Sequence, residues 1–415
     1  MKKVLIYGLG KTGTELVKFC KRRRIPFLTF DDKINKNESF YNYLKKCTEI
    51  VVSPGVGLRN SNIREAIKLK KTVISEIEFA SRFISKPIVA ITGTNGKTTT
   101  TLLTSGLLES SGLRVFTGGN IGTPLIKAVN KQNDYDIILL ETSSFQLQFI
   151  GRSFRPSVSA ILNISENHLD HHFDMKEYVS SKMNIIKNQD ENCHFIYADK
   201  ILSKLRQKPL PRHHNPYKNI NIKLIKDKIL INGYLSVESS KIKLLGQHNL
   251  TNILFALNIF EIFQKITKKQ ISFLENFSSP DHRLETVNRR GTIINDSKST
   301  SPLATEVALK SIQKDLVLIM GGKDKELKYN SLLPLVNKKV KLLVLYGENK
   351  FELAKLFKKN KMFLAVNLSD AVKVATKNKL RSQVLLFSPG TSSFDQFKSF
   401  AERGEKFKEY VKRVV

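Results

Sequence analysis

Twice along the chain an apolar strand runs straight into a glycine-rich turn and then a helix, and this order constrains the fold more than any other feature. The first instance is "KVLIYGLGKTGTELVKFC", from Lys3; the second is "PIVAITGTNGKTTTTLL", from Pro87. Strands buried on both faces read as continuous apolar runs, and a return through a helix makes neighbouring strands parallel. The same alternation recurs in "DLVLIMGGKDKEL", "KLLVLYG" and "QVLLFSPGTSSF", so the expected class is α/β. A chain of 415 residues exceeds one ordinary core, and three segments are expected: 1–85, 86–279 and 280–415.

The first turn carries Gly8, Gly10 and Gly13, with Asp31 and Asp32 closing the next strand. Glycines let backbone N–H groups approach a diphosphate at a helix N-terminus, and an acid about 20 residues on can take a ribose hydroxyl. Taken alone this suggests NAD; the plainer alternative is a turn that packs helix on strand. Ser53-Pro54-Gly55 ends a further apolar strand, where ligands of open parallel sheets bind.

The second turn resembles a phosphate loop, yet only Thr94 and Asn95 separate Gly93 from Gly96-Lys97-Thr98, where the familiar loop has four residues. "DIILLETSSFQLQ" then delivers Glu141 at a strand end, where a carboxylate can hold a phosphate-bound magnesium ion. "SAILNISENHLDHHF" delivers His168 and Asp170, and the helical "KEYVSSKMNIIKNQ" carries Lys182. His171, His172, His213 and His214 are expected at the surface or as helix caps. Asn249 and Asn252 lie three apart at the start of "HNLTNILFALNIFEIF" and can project together; capping is the alternative for Asn249.

Cys20, Cys47 and Cys193 form no Cys-x-x-Cys pair, which fits a reduced, cytoplasmic setting. No apolar run is long enough to span a bilayer. A net charge of +32 would ordinarily suggest nucleic acid, but the lysines are dispersed and lack interleaved aromatic platforms. The charge is read as a solvated surface, with no nucleic-acid partner.

The tight loop, "GGNIGTP", "ETSSFQL", "NISENHLDHH", "YVSSK", "GQHNLTN", "DHRLE", "NDSKST" and "SPGTSSFDQFKSFAERG" follow in one order over almost the whole chain. The sequence thereby resembles the Mur ligase family, most closely its D-glutamate-adding members. That resemblance implies a Rossmann-like N-terminal domain holding the UDP end of the substrate rather than NAD. A central P-loop-type ATPase domain and a Rossmann-like C-terminal domain would follow. It implies that ATP activates the L-alanine carboxylate of UDP-N-acetylmuramoyl-L-alanine as an acyl phosphate, which the D-glutamate amine attacks, in peptidoglycan precursor synthesis.

The resemblance assigns Gly93, Thr94, Asn95, Gly96, Lys97, Thr98 and Thr99 to ATP, joined by Asn249, Asn252, Arg283 and Asp296. Thr98 and Glu141 would ligate one Mg2+, and His168 with a carbamylated Lys182, formed from CO2, a second. Lys97, His168 and Lys182 would be catalytic. Gly10, Lys11, Thr12, Asp32, Lys33, Ser53, Pro54, Gly55, Asn120, Ser143 and Gln146 would meet the UDP substrate. Lys298, Thr300, Lys325, Ser393 and Phe400 would surround D-glutamate.

Some choices stay open at this point. Lys182 as a plain cation is the alternative to the carbamate, and Gly390-Thr391-Ser392 stands where these ligases more often carry Ala-Cys-Ala. Another amino-acid ligase of the same superfamily is the near rival, although the Asp-Asn-Pro-Arg motif of the diaminopimelate- or lysine-adding enzymes is absent. An NAD-dependent oxidoreductase is the rival from another class. A monomer is the default expectation.

Overall fold

In the N-terminal sheet, alternate residues of one strand enter two different cores. Val4 and Ile6 of strand Lys3–Tyr7 pack with Leu16, Phe19 and Phe79, while Leu5 and Tyr7 pack with Phe30, Phe40 and Ile63. This is the period-two geometry of a strand covered on both faces. The computed structural model describes residues 3–35, 39–165, 171–198, 212–244, 248–278, 281–288, 291–325 and 327–415, without the side chains of His213 and His248.

Four strands form this first sheet, in the order Phe27–Phe30, Lys3–Tyr7, Cys47–Val52, Thr72–Ser75, all parallel. The helix Lys11–Arg22 packs so tightly after the first strand that a Cβ on Gly13 would lie 1.9 Å from the Gly8 carbonyl oxygen. Gly13 is therefore required for packing.

The central sheet has six parallel strands, ordered Arg212–His214, His194–Tyr197, Val158–Ile161, Ile88–Thr92, Ile137–Glu141, Val115–Gly119. The chain leaves Ile88–Thr92 toward one edge and Val158–Ile161 toward the other. Their carboxyl ends thus flank the point where connections diverge, the usual ligand crevice of an open α/β sheet. A small antiparallel sheet, Ile222–Ile225, Lys228–Ile231 and Leu235–Glu238, follows.

The third sheet is ordered Glu285–Thr286, Ile293–Asn295, Val384–Phe387, Leu316–Gly321, Val340–Tyr346, Met362–Leu364, parallel except for its first pair. Leu316, Leu318 and Met320 face one core and Val317 and Ile319 the other, so helices cover both sides. The α/β class is as expected.

Two compact units emerge. One comprises Met1–Lys241 with Leu250–Glu275, the other Ile242–Asn249 with Asn276–Val415. The first unit contains both the N-terminal and central sheets. Within it the Glu78 carboxylate accepts N–H bonds from Arg152 (3.0 Å), Ser153 (2.8 Å) and Phe154 (2.9 Å), fastening the end of the first segment to a central turn. Among the described residues no helix is long and apolar enough to cross a membrane.

Candidate active site

The short phosphate-type loop owes its shape to two glycines. Gly96 adopts φ of 83° at the entry to helix Lys97–Ser110, and a Cβ there would lie 2.4 Å from Asn252 Oδ1. Only glycine combines that left-handed backbone with such close approach. Asn252 Oδ1 also accepts from Thr100 Oγ1 at 3.3 Å, so this asparagine lies directly over the loop.

Asn163, which the sequence reading did not single out, clamps the loop from the neighbouring strand. Its Oδ1 accepts from Asn95 N (2.8 Å), its Nδ2 donates to Asn95 O (3.0 Å), and its carbonyl accepts from Thr94 N (2.9 Å). An asparagine just beyond an apolar strand was the available signal, but its reach depends on sheet order.

Lys97 folds back onto the loop, donating to Gly93 O (2.7 Å) and Thr94 O (2.9 Å). Lys182, 1% exposed, donates to Gly93 O at 2.9 Å and lies 3.4 Å from Thr92 Oγ1. Burial, then the neighbouring Lys97 cation, drive the Lys182 amine well below its ordinary pKa, against the opposing pull of Glu141. A neutral amine is the nucleophilic form of lysine.

Glu141 is 1% exposed and pairs in register with Ile91 of the strand feeding the loop. Its Oε1 accepts from Asn120 Nδ2 at 2.6 Å, while its buried Oε2 has no hydrogen-bond partner. A buried orphaned carboxylate oxygen is costly unless something positive meets it. Together with the half-buried Thr98 hydroxyl it supplies hard oxygen donors of the kind Mg2+ takes. His168 and Asp170 lie outside the described residues, and among the described residues no three His, Cys, Asp or Glu side chains cluster as a metal site.

Ser143 and Gln146 form a reciprocal capping box at the start of helix Ser144–Leu147. Gln146 Oε1 accepts from Ser143 N at 3.0 Å, and Ser143 Oγ from Gln146 N at 3.3 Å. Both residues are thus held at the carboxyl edge of the sheet, beside Glu141.

Small-molecule sites are clefts of about 300–1,000 Å³; the N-terminal one measures about 760 Å³. Gly10, Lys11, Thr12, Asp32, Lys33, Ser53, Pro54 and Gly55 all line it. Asp31 is engaged by the loop itself, accepting from Leu9 N (2.7 Å) and Lys33 N (2.9 Å), bonds that hold its carboxyl below the usual range. Asp32 accepts from Tyr7 Oη (2.7 Å) and Asn60 Nδ2 (3.0 Å). Lys11 Nζ reaches across to the Gly122 carbonyl, linking the cleft to the loop that carries Asn120.

In the second unit, Lys298 Nζ sits 3.9 Å from the Phe400 ring centroid, and Ser393 is buried in the turn after strand Val384–Phe387. Thr300 and Lys325 are exposed. Arg403, which sequence reading also missed, is fully buried: it donates to Ser297 Oγ (3.0 Å), Ser297 O (2.8 Å) and Thr391 O (3.0 Å). It thereby pins the turns bearing Lys298 and Ser393.

His282 and Leu284, with φ of 63° and 47°, hold Arg283 between two left-handed residues, a strain that packing must maintain. Asp296 uses both oxygens inside its own unit, accepting from Ser299 Oγ (2.5 Å), Ser388 Oγ (2.8 Å) and Leu284 N (3.2 Å). Burial pushes its pKa up to about 6 against those bonds. Asn249 is buried at the start of helix His248–Glu261.

The expected surface placement of His172 is overturned. His172 is fully buried and hydrogen-bonded, and His171 is partly buried against Phe145, with ring centroids 3.9 Å apart. His214 lies 2.8 Å from His194, nitrogen to nitrogen. The side chain of His213 lies outside the described residues.

The family model of the Mur ligase middle domain matches residues 91–260, and that of the Mur ligase glutamate ligase domain matches residues 282–390. The chain is 35% identical to UDP-N-acetylmuramoylalanine--D-glutamate ligase of Geotalea daltonii, across 100% of this chain and 98% of the relative. It is also 35% identical to the ligase of that name from Aquifex aeolicus, across 99% and 98%. Among solved structures, MurF ligase from Thermotoga maritima in complex with ADP superposes with a TM-score of 0.64 at 17% identity, covering 100% of this chain and 96% of that one. UDP-N-acetylmuramate-alanine ligase MurC of the same organism gives 0.60 at 16%, covering all of both chains. Fold, ordered motifs and full-length identity agree: the chain belongs to the Mur ligase family.

Proposed function

We propose that this protein is an ATP-dependent ligase joining D-glutamate to UDP-N-acetylmuramoyl-L-alanine, in cytoplasmic peptidoglycan precursor synthesis. The observation carrying the chemistry is the convergence of Lys97 and the buried Lys182 on Gly93 O beside the orphaned oxygen of Glu141. Full-length identity to ligases of that name supports the choice of acceptor and amino acid.

On this reading, residues 1–85 bind the UDP end in the N-terminal cleft, 86–279 carry phosphoryl transfer, and 280–415 bind D-glutamate. Lys97 swings from the loop carbonyls to the β- and γ-phosphates, and the backbone N–H groups of Thr94 to Lys97 line them. Thr98 and Glu141 hold Mg2+, which when bound neutralises charge on the transferring phosphoryl group. Asn120, Ser143 and Gln146 orient the muramoyl carboxylate. Asn249, Asn252, Arg283 and Asp296 are the further residues assigned to ATP.

The neutral Lys182 amine adds to CO2: an N–C bond forms, one C=O π pair moves to oxygen, and the nitrogen releases one proton. The resulting carbamate, with His168, supplies oxygen and nitrogen donors for a second Mg2+. Lys298, Thr300, Lys325, Ser393 and Phe400 receive D-glutamate. Phosphate release with UDP-N-acetylmuramoyl-L-alanine, ATP and Mg2+ tests the reading. Turnover should require D-glutamate; turnover with L-lysine or diaminopimelate instead would replace it with another ligase of the superfamily.

A further inference from the structure

We infer that His172 is a positioning residue for this reaction, holding the turn that carries Ser143 and the helix that carries Lys182 in one register and fastening both to the N-terminal cleft wall. The inference rests on the ligase reading above. His172 Nε2 lies 2.9 Å from Ser144 Oγ, and its Nδ1 lies 3.2 Å from Glu177 Oε1. Ser144 follows Ser143 and opens the helix just beyond Glu141. Glu177 lies in the first turn of helix Met175–Met183, whose last turn contains Lys182.

The protonation pattern follows from the partners. A carboxylate accepts, so the tautomer that satisfies Glu177 carries its proton on Nδ1. Nε2 is then an acceptor for the Ser144 hydroxyl. Glu177 is itself fixed, its Oε2 accepting from Phe173 N at 2.7 Å. The Ser–His–Glu order resembles a nucleophilic triad, but Ser144 is 2% exposed and His172 0%, so no substrate reaches the hydroxyl. The arrangement orients rather than attacks.

Two further contacts extend its reach. The His172 ring meets Tyr178 edge-on at 5.4 Å between centroids; Tyr178 Oη lies 2.9 Å from Thr94 Oγ1 of the phosphate loop, and Lys182 Nζ lies 4.7 Å from the Tyr178 ring centroid. On the opposite side Arg59 donates to His172 O at 3.0 Å, and a Cβ on Gly57 would lie 2.4 Å from the His171 ring. Gly57 and Arg59 directly follow the Ser53–Val56 wall of the cleft. The buried imidazole therefore connects substrate turn and lysine helix, and the carbonyl of the same residue takes the tie to the cleft wall.

His172→Phe keeps a ring against Tyr178 and removes both nitrogens. In steady-state phosphate release with D-glutamate, its kcat should fall on the order of 10- to 100-fold, the scale of a small misplacement of reacting groups. ADP affinity by calorimetry should stay within about threefold, because the loop keeps its own bonds. Ser144→Ala should lower kcat similarly, and the double variant should be no worse than His172→Phe alone, since both act through one bond. Ser144→Thr, which retains the hydroxyl, should restore kcat to near that of the parent. Multiplicative losses, or an unchanged kcat in His172→Phe, would overturn the inference. So would kcat and ADP affinity falling together with the folded fraction. Should His172→Phe not fold, Ser144→Ala against Ser144→Thr reads the same bond, and equal kcat in the two would overturn it. An inactive parent sinks the ligase reading, whereas an active parent with unaffected variants sinks only this inference.

Discussion

The side-chain amines of Lys97 and Lys182 point at one backbone oxygen, lying 2.7 Å and 2.9 Å from the carbonyl of Gly93. Burial first, and then repulsion by the Lys97 ammonium, drive the Lys182 amine toward its neutral form. Lys97→Met should therefore raise the Lys182 pKa toward its ordinary value. It should also reduce ligation by about 100-fold or more, the cost of losing a charge-stabilising donor. Binding of the UDP substrate, measured by calorimetry, should persist, because its cleft is built from other residues. Turnover within a few-fold of the parent would make Lys97 an ordinary helix-start lysine.

Lys182→Ala distinguishes a carbamate from a plain cation. An unperturbed lysine titrates at about 10.4, leaving roughly one in a thousand neutral at pH 7.4, so on the carbamate reading the depressed value of Lys182 is what would permit reaction with CO2. The variant should lose most activity and regain part of it with added short-chain carboxylic acids. Rescue by alkylamines and none by acids would instead assign Lys182 a cationic role.

Glu76 is a buried carboxyl whose Oε1 accepts from Ile126 N at 2.6 Å and whose Oε2 has no partner. Burial raises its pKa to about 7, so the folded state binds more protons than the unfolded chain between about pH 4.5 and 7. Its contribution is present below the unfolded pKa and is lost as pH rises through the folded one. Glu76→Gln, which does not titrate, should gain stability relative to the parent across that window, by about 3 kcal/mol at most. Urea denaturation at pH 5 and pH 8 checks this; a stability difference independent of pH would contradict it.

On the proposed reading, selectivity among acidic amino acids follows from Lys298, Thr300, Lys325 and Ser393. A shorter acid loses its hydrogen bond to one of these groups, roughly 0.5–1.5 kcal/mol for a neutral partner and about 1.5–3 kcal/mol for a charged one. D-aspartate should therefore be ligated on the order of tenfold or more slowly than D-glutamate at saturating ATP. Equal rates would refute the arrangement.

Local chemistry made much of this site readable. Gly96 and Lys97 are legible because the left-handed turn and the helix start are properties of adjacent residues, and Glu141 because an apolar strand ends on it. His172, Asn163 and Arg403 were not legible, since their roles depend on what the sheet order brings opposite them. A histidine among charged and polar neighbours gives no sign that Ser144, 28 positions earlier, lies 2.9 Å away. Asp296, assigned to ATP by the resemblance, also gave no sign in the sequence that its oxygens accept from Ser299, Ser388 and Leu284.

The unit that contains the phosphate loop is discontinuous in the chain, for it ends at Lys241 and resumes at Leu250. The resumed piece supplies Ile253, Leu254, Phe255 and Leu257, all fully buried, and Phe273, whose ring lies against Gly106 of the loop helix. During synthesis this unit therefore cannot close when its sheet emerges from the ribosome; it must wait until residues near Glu275 are out. At roughly 5–20 residues per second the delay is a few seconds, during which the helix face at Gly106 lacks its Phe273 cover. Nascent chains stalled between Lys241 and Glu275 should be the natural clients of a chaperone.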